Sequence, residues 1–526
     1  MRNLRDVLIG LIVTAALAGP AAAENVLRFT GFVPARTFDP HSHFFTSNRT
    51  ATEQVYEPLL DVDSNFEIVP MLAVVWKPLD ATTWEFELRR NVRFHDGAPF
   101  TAEDVVFSLE RARAKTADLE DFVGGIADVR ATDDHTVQVT THGPDPVLWL
   151  KLWHVAIMSK AWAARNDVTL PADFKGARAE TYASRHANGT GPFMLENFEP
   201  SGDYVLVRNP DWWGAADYPH NIDRIVHIWT GEPERDVQAL VEDKIDLILD
   251  PPYATIDRVR DTPGLKLGIK RKPQTFFLGV DLGAAELQSS DVKGRNPFAD
   301  KRVRQAMYHA IDIEAALRDL MGELLLPAGM LVAPGVNGYS PELDTRPPHD
   351  PVKAKALLVD AGYPDGFSVT LDCPNNYGDD ELTMCRGAAA QLAEVGIEVA
   401  INYLPGDELI ARYSAGESDF YLDAWPSEPD SERILKMLFH NRGRYNTAGY
   451  ANPRVDELIE KIQTEMVTYA RDAYLEEAWR IVTEDIVYLP VRHSMTVFAM
   501  RDRLDLPVDP WAVPRFRLAR LRQPGG

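Results

Sequence analysis

The 526-residue chain is poor in cysteine, in long apolar runs and in basic side chains. Its 55 lysines and arginines face 79 aspartates and glutamates, which gives a formal net charge of -24. Nucleic acids and anionic membrane surfaces are poor partners for so acidic a protein, and we expect neither. The sequence also has no internal repeat, low-complexity tract or long flexible linker. We therefore expect domains joined by short crossovers.

The longest apolar run stands at the N-terminus. Two arginines precede this run, Val7 to Ala18, which ends at Gly19-Pro20 just before Ala21-Ala22-Ala23. The pattern predicts a secretory signal peptide over residues 1–23 with an Ala-x-Ala cleavage site. The run is shorter than the roughly 20 residues that a bilayer span needs. Because the first cysteine is Cys373, we expect no lipid anchor on the mature N-terminus and a soluble protein in the periplasm.

The two cysteines, Cys373 and Cys385, lie 12 positions apart. In an exported chain the first interpretation is a disulfide, which would stabilise the fold by about 3 kcal/mol. A pair of buried free thiols remains the alternative.

The first half of the chain mixes short strands with helices. Val26 to Thr30 reads as a strand, and the segment Gly31 to Arg49, rich in Pro, Ser, Thr and aromatics, predicts a loop at an opening. Trp84, Phe86 and Leu88 alternate with polar residues as in half-buried strands. Thr101 to Asp104 has capping-box spacing at the start of a helix. Residues 61–185 are predicted to form a small α+β module inserted into another domain.

Beyond Pro297 the pattern alternates between helix and strand. A strand at Phe367–Asp372, a helix at Asp380–Val395 and a strand at Ile397–Leu404 predict two parallel neighbours joined by a crossover. Ligands tend to bind at the carboxyl ends of such strands. The loops 373–380 and 425–432 follow strands in this way, so we expect the site there.

Several stretches carry a family resemblance. The longest runs from Leu88 to Ser108 and contains Phe94-His-Asp-Gly-Ala-Pro-Phe-Thr-Ala-Glu-Asp-Val-Val-Phe-Ser. The supporting matches are Gly189–Phe193, Arg208–Trp213, Arg302–Ala306, and Tyr445-Asn446 followed by Tyr450, Pro453 and Asp456. Together they resemble the family 5 extracellular solute-binding proteins, which include periplasmic dipeptide-, oligopeptide- and nickel-binding proteins. The signature itself is interpreted as a fold-building element.

The resemblance implies a mixed α+β fold of the α/β class, a two-lobed periplasmic binding protein of type II (cluster C) with an extra small α+β subdomain. Its implied boundaries are a lobe I of residues 24–60, 186–271 and 497–526, the subdomain 61–185, and a lobe II of residues 272–496. The hinges are expected near Lys272–Phe277 and Leu489–Val497. Family members close around their ligand and dock on an ABC permease at the inner membrane, and we expect a monomer.

The first candidate site is the acidic stretch Asp419–Glu432, which has five acids and no base. A tryptophan resembling Trp425 is followed in dipeptide-binding relatives by an aspartate that pairs with the ligand's amino group. Glu428 occupies that place here. Because the loop is one residue shorter than in relatives, Asp430 could equally take the role. A solvated acidic loop is the other interpretation.

The second candidate loop contains Asn375, Asn376 and Tyr377, where dipeptide binders place an arginine for the ligand's carboxylate. This chain has no arginine there before Arg386. We therefore expect a cationic or amide-rich ligand, such as a modified peptide, an opine-like conjugate or a polyamine-containing compound.

From the opposite lobe, Phe44, Phe45, Thr46 and Ser47 match positions that present groups to the ligand in relatives. Aromatic rings and hydroxyls suit a pocket that needs apolar contact with a few oriented hydrogen bonds. A place in the core is the other interpretation of these residues.

Other functional classes leave weaker signals. No Gly-x-Ser-x-Gly or His-Glu-x-x-His motif occurs, and the one Ser-x-x-Lys, at Ser290 and Lys293, lies in a predicted loop. An exported paired-carboxylate glycosidase stays open, as does binding of an opine, a sugar or a nickel complex. Asp39, His41 and His43 are a weak metal pattern. We expect no metal, no cofactor and no catalysis.

Overall fold

The computed structural model describes residues 24–31, 33–174, 180–376 and 378–522. The predicted signal peptide lies outside the described residues. None of the helices described has both the length and the apolar composition that a bilayer crossing requires.

Residues 24–141 contain the first strand, the first helix and most of the predicted module. Their elements are β1 (Val26–Thr30), α1 (Thr46–Thr52), β2 (Leu60–Val62), β3 (Ile68–Pro70), β4 (Ala73–Pro78), β5 (Thr83–Leu88), α2 (Ala102–Ala112), α3 (Glu120–Val123), β6 (Ile126–Asp133) and β7 (Thr136–Thr141). Four of these strands form an antiparallel sheet in the order β4-β5-β7-β6, against which α2 packs. The predicted capping box is confirmed, because the Thr101 N–H donates to Asp104 Oδ2 at 2.9 Å.

The chain then returns to the main sheet through short helices. The elements of this part are α4 (Leu148–Lys151), α5 (Lys160–Arg165), α6 (Tyr182–Arg185), β8 (Phe193–Phe198), β9 (Tyr204–Arg208), β10 (Arg224–His227), α7 (Pro233–Val241), β11 (Leu247–Leu249), α8 (Ile256–Asp261) and β12 (Leu265–Val280). Before Asn209, β8 and β9 form an antiparallel pair.

The last 220 or so residues complete the second half of the molecule. Their elements are α9 (Lys301–Ala310), α10 (Ile313–Met321), β13 (Leu326–Pro327), α11 (Pro351–Asp360), β14 (Phe367–Pro374), α12 (Asp379–Glu394), β15 (Ile397–Leu404), α13 (Gly406–Ser414), β16 (Phe420–Pro426), α14 (Glu432–Ile434), α15 (Pro453–Thr464), α16 (Thr468–Glu484), β17 (Leu489–Arg501), β18 (Leu504–Asp505) and β19 (Arg520–Leu521). A π-helical turn, Leu435–Phe439, follows α14.

One mixed sheet of 11 strands runs through both halves, in the order β15-β14-β16-β12-β17-β11-β1-β10-β9-β8, with β13 beside β17. The strands β12 and β17 pair with each other along their length and so belong to both halves. We use the predicted boundaries as labels, lobe I for residues 24–271 and 497–522 and lobe II for 272–496. Separate buried clusters form the cores, two in lobe II and two in lobe I.

The predicted hinge segments, Lys272–Phe277 and Leu489–Val497, lie inside β12 and β17, and the pairing register shifts between Lys272 and Thr275. β12 begins at Leu265, well before the predicted hinge segment. The lysines and the arginine between 266 and 272 gave this segment no apolar strand pattern. A paired strand can still contain them, because their side chains reach solvent.

The predicted parallel unit in lobe II is confirmed. β14 and β15 pair in parallel, with Phe367 opposite Ile397, and α12 connects them. Cys373 at the end of β14 and Cys385 in α12 form the predicted disulfide, with an S–S distance of 2.06 Å. Gly362 follows α11 with a φ of 87°, the left-handed conformation expected there.

The motifs that carry the family resemblance hold lobe I together. His95 Nε2 lies 3.0 Å from the carbonyl oxygen of Gly191, and the Asp96 N–H donates to Asn188 Oδ1 at 3.0 Å. A Cβ atom on Gly189 would lie 1.9 Å from the carbonyl oxygen of Val55, so only glycine fits that turn. These contacts support the interpretation of the signature as a fold-building element.

A buried carboxylate links two further motifs. Glu57 accepts hydrogen bonds from Trp212 Nε1 at 2.9 Å, Trp213 Nε1 at 2.7 Å and Thr190 Oγ1 at 2.8 Å. Burial raises the pKa of Glu57 to about 7, against the lowering effect of these donors. The tryptophan pair and the Gly189–Phe193 turn are therefore positioned by one shared side chain.

Candidate functional site

A cavity of about 430 Å³ lies between the two lobes. Lobe I contributes residues around α1 and α3, lobe II contributes the loop after β16, and the β12 hinge segment closes one side. The lining residues are Phe44, Phe45, Thr46, Arg49, Asp118, Glu120, Asp121, Phe122, Lys272, Pro273, Gln274, Pro426, Ser427, Glu428, Arg433, Arg444, Tyr445 and Trp511. Such a volume is within the range of small-molecule sites.

The N-terminal end of α1 forms the lobe I wall. Phe45, 52% exposed, and Thr46 line the cavity, whereas the half-buried Ser47 is not among the lining residues. The predicted loop over Gly31–Arg49 is partly wrong, because Thr46–Thr52 is helical. Thr and Asn are weak helix formers and Phe45 provides no capping side chain, so the sequence held little helix signal.

Glu428 lies in the lobe II wall and contacts lobe I. Its Oε2 is 2.7 Å from His154 Nε2, and because a carboxylate only accepts, the histidine nitrogen donates. Burial by itself raises the pKa of Glu428, but His154, Arg433 and Arg49 outweigh this effect and lower the pKa to about 2. Glu428 is therefore a charged carboxylate at the edge of the cavity.

Asp430, the other candidate for an amine partner, has a different role. Both of its oxygens accept from Arg471, at 2.7 Å each, and Oδ2 also accepts from Asn337 Nδ2 at 2.8 Å. Both side chains of the ion pair are almost fully buried. Asp430 does not line the large cavity, and its carboxylate is saturated by protein donors.

All five acids of Asp419–Glu432 accept hydrogen bonds within the protein. The donors are Ser289 N for Asp419, Ala424 N for Asp423, His154 for Glu428, Arg471 for Asp430 and Gln463 Nε2 for Glu432. Two of these acids, Glu428 and Asp430, accept from basic side chains, and the expected preference for a cationic ligand stays a prediction.

Trp425, at the end of β16, is 8% exposed and packs behind the cavity wall. Its ring centroid lies 5.3 Å from that of Tyr445, which does line the cavity. Trp425 therefore supports a wall residue and is not itself among the lining residues.

The loop after β14 lies at the carboxyl end of its strand, as predicted. Asn375 and Asn376 are exposed and are not among the cavity-lining residues, and Asn376 Oδ1 accepts from the N–H of Gly406 at 2.9 Å. Tyr377 lies outside the described residues. Arg386 is exposed on α12.

A buried arginine that sequence reasoning missed packs beside this loop. Arg492, on β17, donates to Asp380 at the start of α12, and its guanidinium lies 4.1 Å from the ring of Phe276. Burial, and the neighbouring Asp380, raise the pKa of Glu381 to about 8. This cluster joins the disulfide-bonded helix to the hinge strand.

The weaker motifs have structural contacts. Arg111 donates to both oxygens of Asp39, at 2.7 and 2.6 Å, and His41 Nε2 lies 2.8 Å from the carbonyl oxygen of Ala156. Lys293 Nζ donates to the carbonyl oxygen of Ser290 and not to its hydroxyl. The Ser-x-x-Lys match therefore does not place an amine on a serine nucleophile.

The basic side chains of the cavity were not found from the sequence. They are Arg49, Lys272, Arg433 and Arg444. Arg49 stands three positions after Thr46, which puts both on one helical face, but that signal depends on recognising α1. The others come from three separate segments whose convergence only the fold determines.

Separate cores in each lobe, one sheet shared through two long strands and a cavity between the halves define a two-lobed ligand-binding protein. The chain belongs to the bacterial extracellular solute-binding proteins, family 5, whose "Middle" model matches residues 67–446, more than half of its length. The members of this family are binding proteins and not enzymes.

Relatives match over nearly the whole chain. The Di/tripeptide-binding protein 2 of Pseudomonas aeruginosa (strain UCBPP-PA14) is 27% identical over 530 residues, covering 93% of this chain and 91% of the relative. The glutathione-binding protein GsiB of Salmonella choleraesuis (strain SC-B67) is 25% identical over 502 residues, covering 92% and 91%. Each match therefore covers about nine-tenths of both chains.

Solved structures share the fold. The periplasmic binding protein DppA from Helicobacter pylori in complex with the peptide STSA has a TM-score of 0.77 and 22% identity, covering 95% of this chain and 98% of its own. HbpA2 from Haemophilus parasuis has a TM-score of 0.80 and 21% identity, covering 95% and 100%. The predicted fold class is confirmed.

Proposed function

We propose that the protein is the periplasmic substrate-binding component of an ABC importer and captures a peptide or peptide-like solute between its lobes. The observation that carries this proposal is the cavity of about 430 Å³, whose walls come from both lobes. Relatives named for di- and tripeptides and for glutathione support a peptide-like ligand. The predicted signal peptide supports export to the periplasm.

Capture works by hinge closure in this proposal. The proposed hinge segments, Lys272–Phe277 and Leu489–Val497, pair with each other, and the irregular register near Pro273 supports bending there. Closure removes water from the cavity and so strengthens polar contacts to the ligand. The closed form would then dock, as a monomer, on a permease of the inner membrane.

Glu428 is the proposed partner of the ligand's amino group. Its Oε2 is engaged by His154, which leaves Oε1 for a ligand ammonium at the cavity edge. Asp430 is not proposed for this role, because Arg471 binds both of its oxygens. Phe45, Thr46 and Tyr445 would supply apolar contact and hydrogen bonds.

The test measures binding of di- and tripeptides to protein that has been unfolded and refolded to remove captured ligand. A peptide at 100 times its Kd should stabilise the protein by about 2.7 kcal/mol, with a stoichiometry of one and no turnover. Mass spectrometry of the natively purified protein identifies the ligand class directly. Absence of stabilisation by every peptide, or hydrolysis of the peptides, would contradict the proposal.

A further inference from the structure

Arg49 presents an unused hydrogen-bond donor at the lobe I wall of the cavity. Its Nε donates to Glu53 Oε1 at 2.7 Å, while Nη2 is buried without a partner among the described residues. The guanidinium is held over the rings of Phe44 and Trp153, at 5.1 and 4.8 Å from their centroids. The side chain is 12% exposed and therefore has little freedom to turn toward bulk water.

Arg433 of lobe II also has an unpartnered donor and also lies beside aromatic rings. Its Nη2 donates to Asp121 Oδ2 at 3.0 Å, and its Nε is buried without a partner in the described part of the chain. The guanidinium lies 5.4 Å from the ring of Phe122 and 5.6 Å from that of Trp425. Two arginines with unused donors thus line one cavity from opposite lobes.

The acids of the cavity wall are already bound by the protein. Glu428 accepts from His154, Asp121 accepts from Arg433 and lies 3.8 Å from Arg444, and Asp118 accepts from the N–H of Phe44. Glu120 remains as the exposed carboxylate of the lining. Lys272, whose nearest carboxylate oxygen in Asp250 is 3.9 Å away, adds another positive charge.

The rings beside the two arginines contact each other, because the centroids of Phe44 and Phe122 lie 5.0 Å apart. The charges of Arg49 and Arg433 both lower the pKa of Glu428, which lines the same cavity. An unused donor on a buried guanidinium is costly, and its natural complement is a carboxylate, which accepts from planar N–H pairs.

We propose that Arg49 of lobe I and Arg433 of lobe II together bind a carboxylate of the ligand. This assignment rests on the proposed function and narrows its substrate class to solutes with a free carboxylate, in place of the cationic or amide-rich ligands expected from the sequence. With Glu428 as amine partner, the favoured ligand is amphoteric. Because the two arginines belong to different lobes, one carboxylate would bridge them and favour the closed form.

The test compares matched probes that differ only in charge at one end. A panel of di- and tripeptides with neutral side chains is titrated by calorimetry into refolded protein, each peptide as the free acid and as the C-terminal amide. The free acid should bind about 10- to 100-fold more tightly, the range for hydrogen bonds to a charged group. Arg49→Gln and Arg433→Gln should each move this acid-to-amide ratio toward one.

A matched control separates recognition from general damage. Arg442→Gln removes an arginine that is exposed on lobe II and is not a lining residue, and it should leave the ratio unchanged. A variant that only weakens folding or closure should lower the affinities for the acid and for the amide equally, so the acid-to-amide ratio would not change. Arg49→Lys should recover part of the ratio, because it restores the charge without the planar fork.

The possible outcomes are distinct. Equal binding of acid and amide forms by the wild type, or an unchanged ratio in both arginine variants, overturns the carboxylate assignment and leaves the proposed function standing. Failure of every acid and every amide to bind overturns the proposed function itself, and the carboxylate assignment with it.

Discussion

His154 Nε2 lies 2.7 Å from Glu428 Oε2, and this hydrogen bond joins lobe I to lobe II at the edge of the cavity. Both side chains are largely buried, with exposures of 2% and 19%. Removing one partner of such a buried contact is destabilising, because the other is left without its hydrogen bond. The first prediction concerns its dependence on pH.

Glu428→Gln should destabilise the ligand-free protein at neutral pH but not in acid. Basic neighbours lower the pKa of Glu428 from 4.5 to about 2, so its ionised form stabilises the native state above pH 4.5. This contribution is at most about 3 kcal/mol and is lost as the pH falls from 4.5 toward 2. Urea unfolding of both proteins between pH 7 and pH 3 measures it. Glu398→Gln, an exposed glutamate on β15, is the control and should show no such trend.

Asp430→Asn should affect folding and leave ligand recognition intact. It removes the charge that Arg471 needs in a buried ion pair, at a cost of about 3 to 5 kcal/mol. The affinity of the remaining folded protein for a bound peptide should stay within a factor of two or so of the wild type, whereas Glu428→Gln should weaken it about tenfold. Denaturation and calorimetry on the same preparations separate the two roles. A large affinity loss in Asp430→Asn would assign the amine contact to Asp430 instead.

The contrast between these two acids shows where sequence reasoning ended. Spacing from Trp425 named Glu428 and Asp430 as equal candidates, since both stand in one loop after one strand. Arg471 and His154 distinguish them, and these partners lie 41 and 274 positions away. No local pattern carries that information, because it depends on how α16 and the inserted module pack against the loop.

Regular elements were predicted more successfully than the cavity. The strands at Val26–Thr30 and Ile397–Leu404 follow from apolar runs with clear ends, and both have the predicted bounds. The cap at Thr101 and the cysteine pair were found from local patterns that a sequence encodes directly. The basic residues of the cavity come from α1, β12, α14 and the segment before α15, so only the tertiary fold brings them together.

The disulfide should stabilise lobe II without forming part of the cavity. Cys373 and Cys385 close a short loop between β14 and α12, and neither lines the cavity. The double variant Cys373→Ser with Cys385→Ser should lose about 3 kcal/mol of unfolding free energy, by the effect of the crosslink on the unfolded chain. Denaturation with and without a reducing agent measures this. The reduced wild type should approach the double variant, while peptide affinity stays unchanged in both.

Glu381→Gln should stabilise the protein progressively as the pH rises. Burial and the charge of Asp380 raise the pKa of Glu381 from 4.5 to about 8, so the native state holds a proton there that the unfolded chain releases. The resulting stability is complete below pH 4.5 and is lost as the pH approaches 8. Glutamine is neutral at every pH. Unfolding experiments from pH 4 to pH 9 should therefore show that the free energy of unfolding of the variant rises relative to that of the wild type across this range.

Asp380→Asn is the informative comparison, since it leaves Arg492 buried without its carboxylate and should destabilise the protein at neutral pH and above. If the free energies of unfolding of Glu381→Gln and the wild type instead changed with pH in parallel, Glu381 would be ionised in the native protein. This outcome would contradict the prediction.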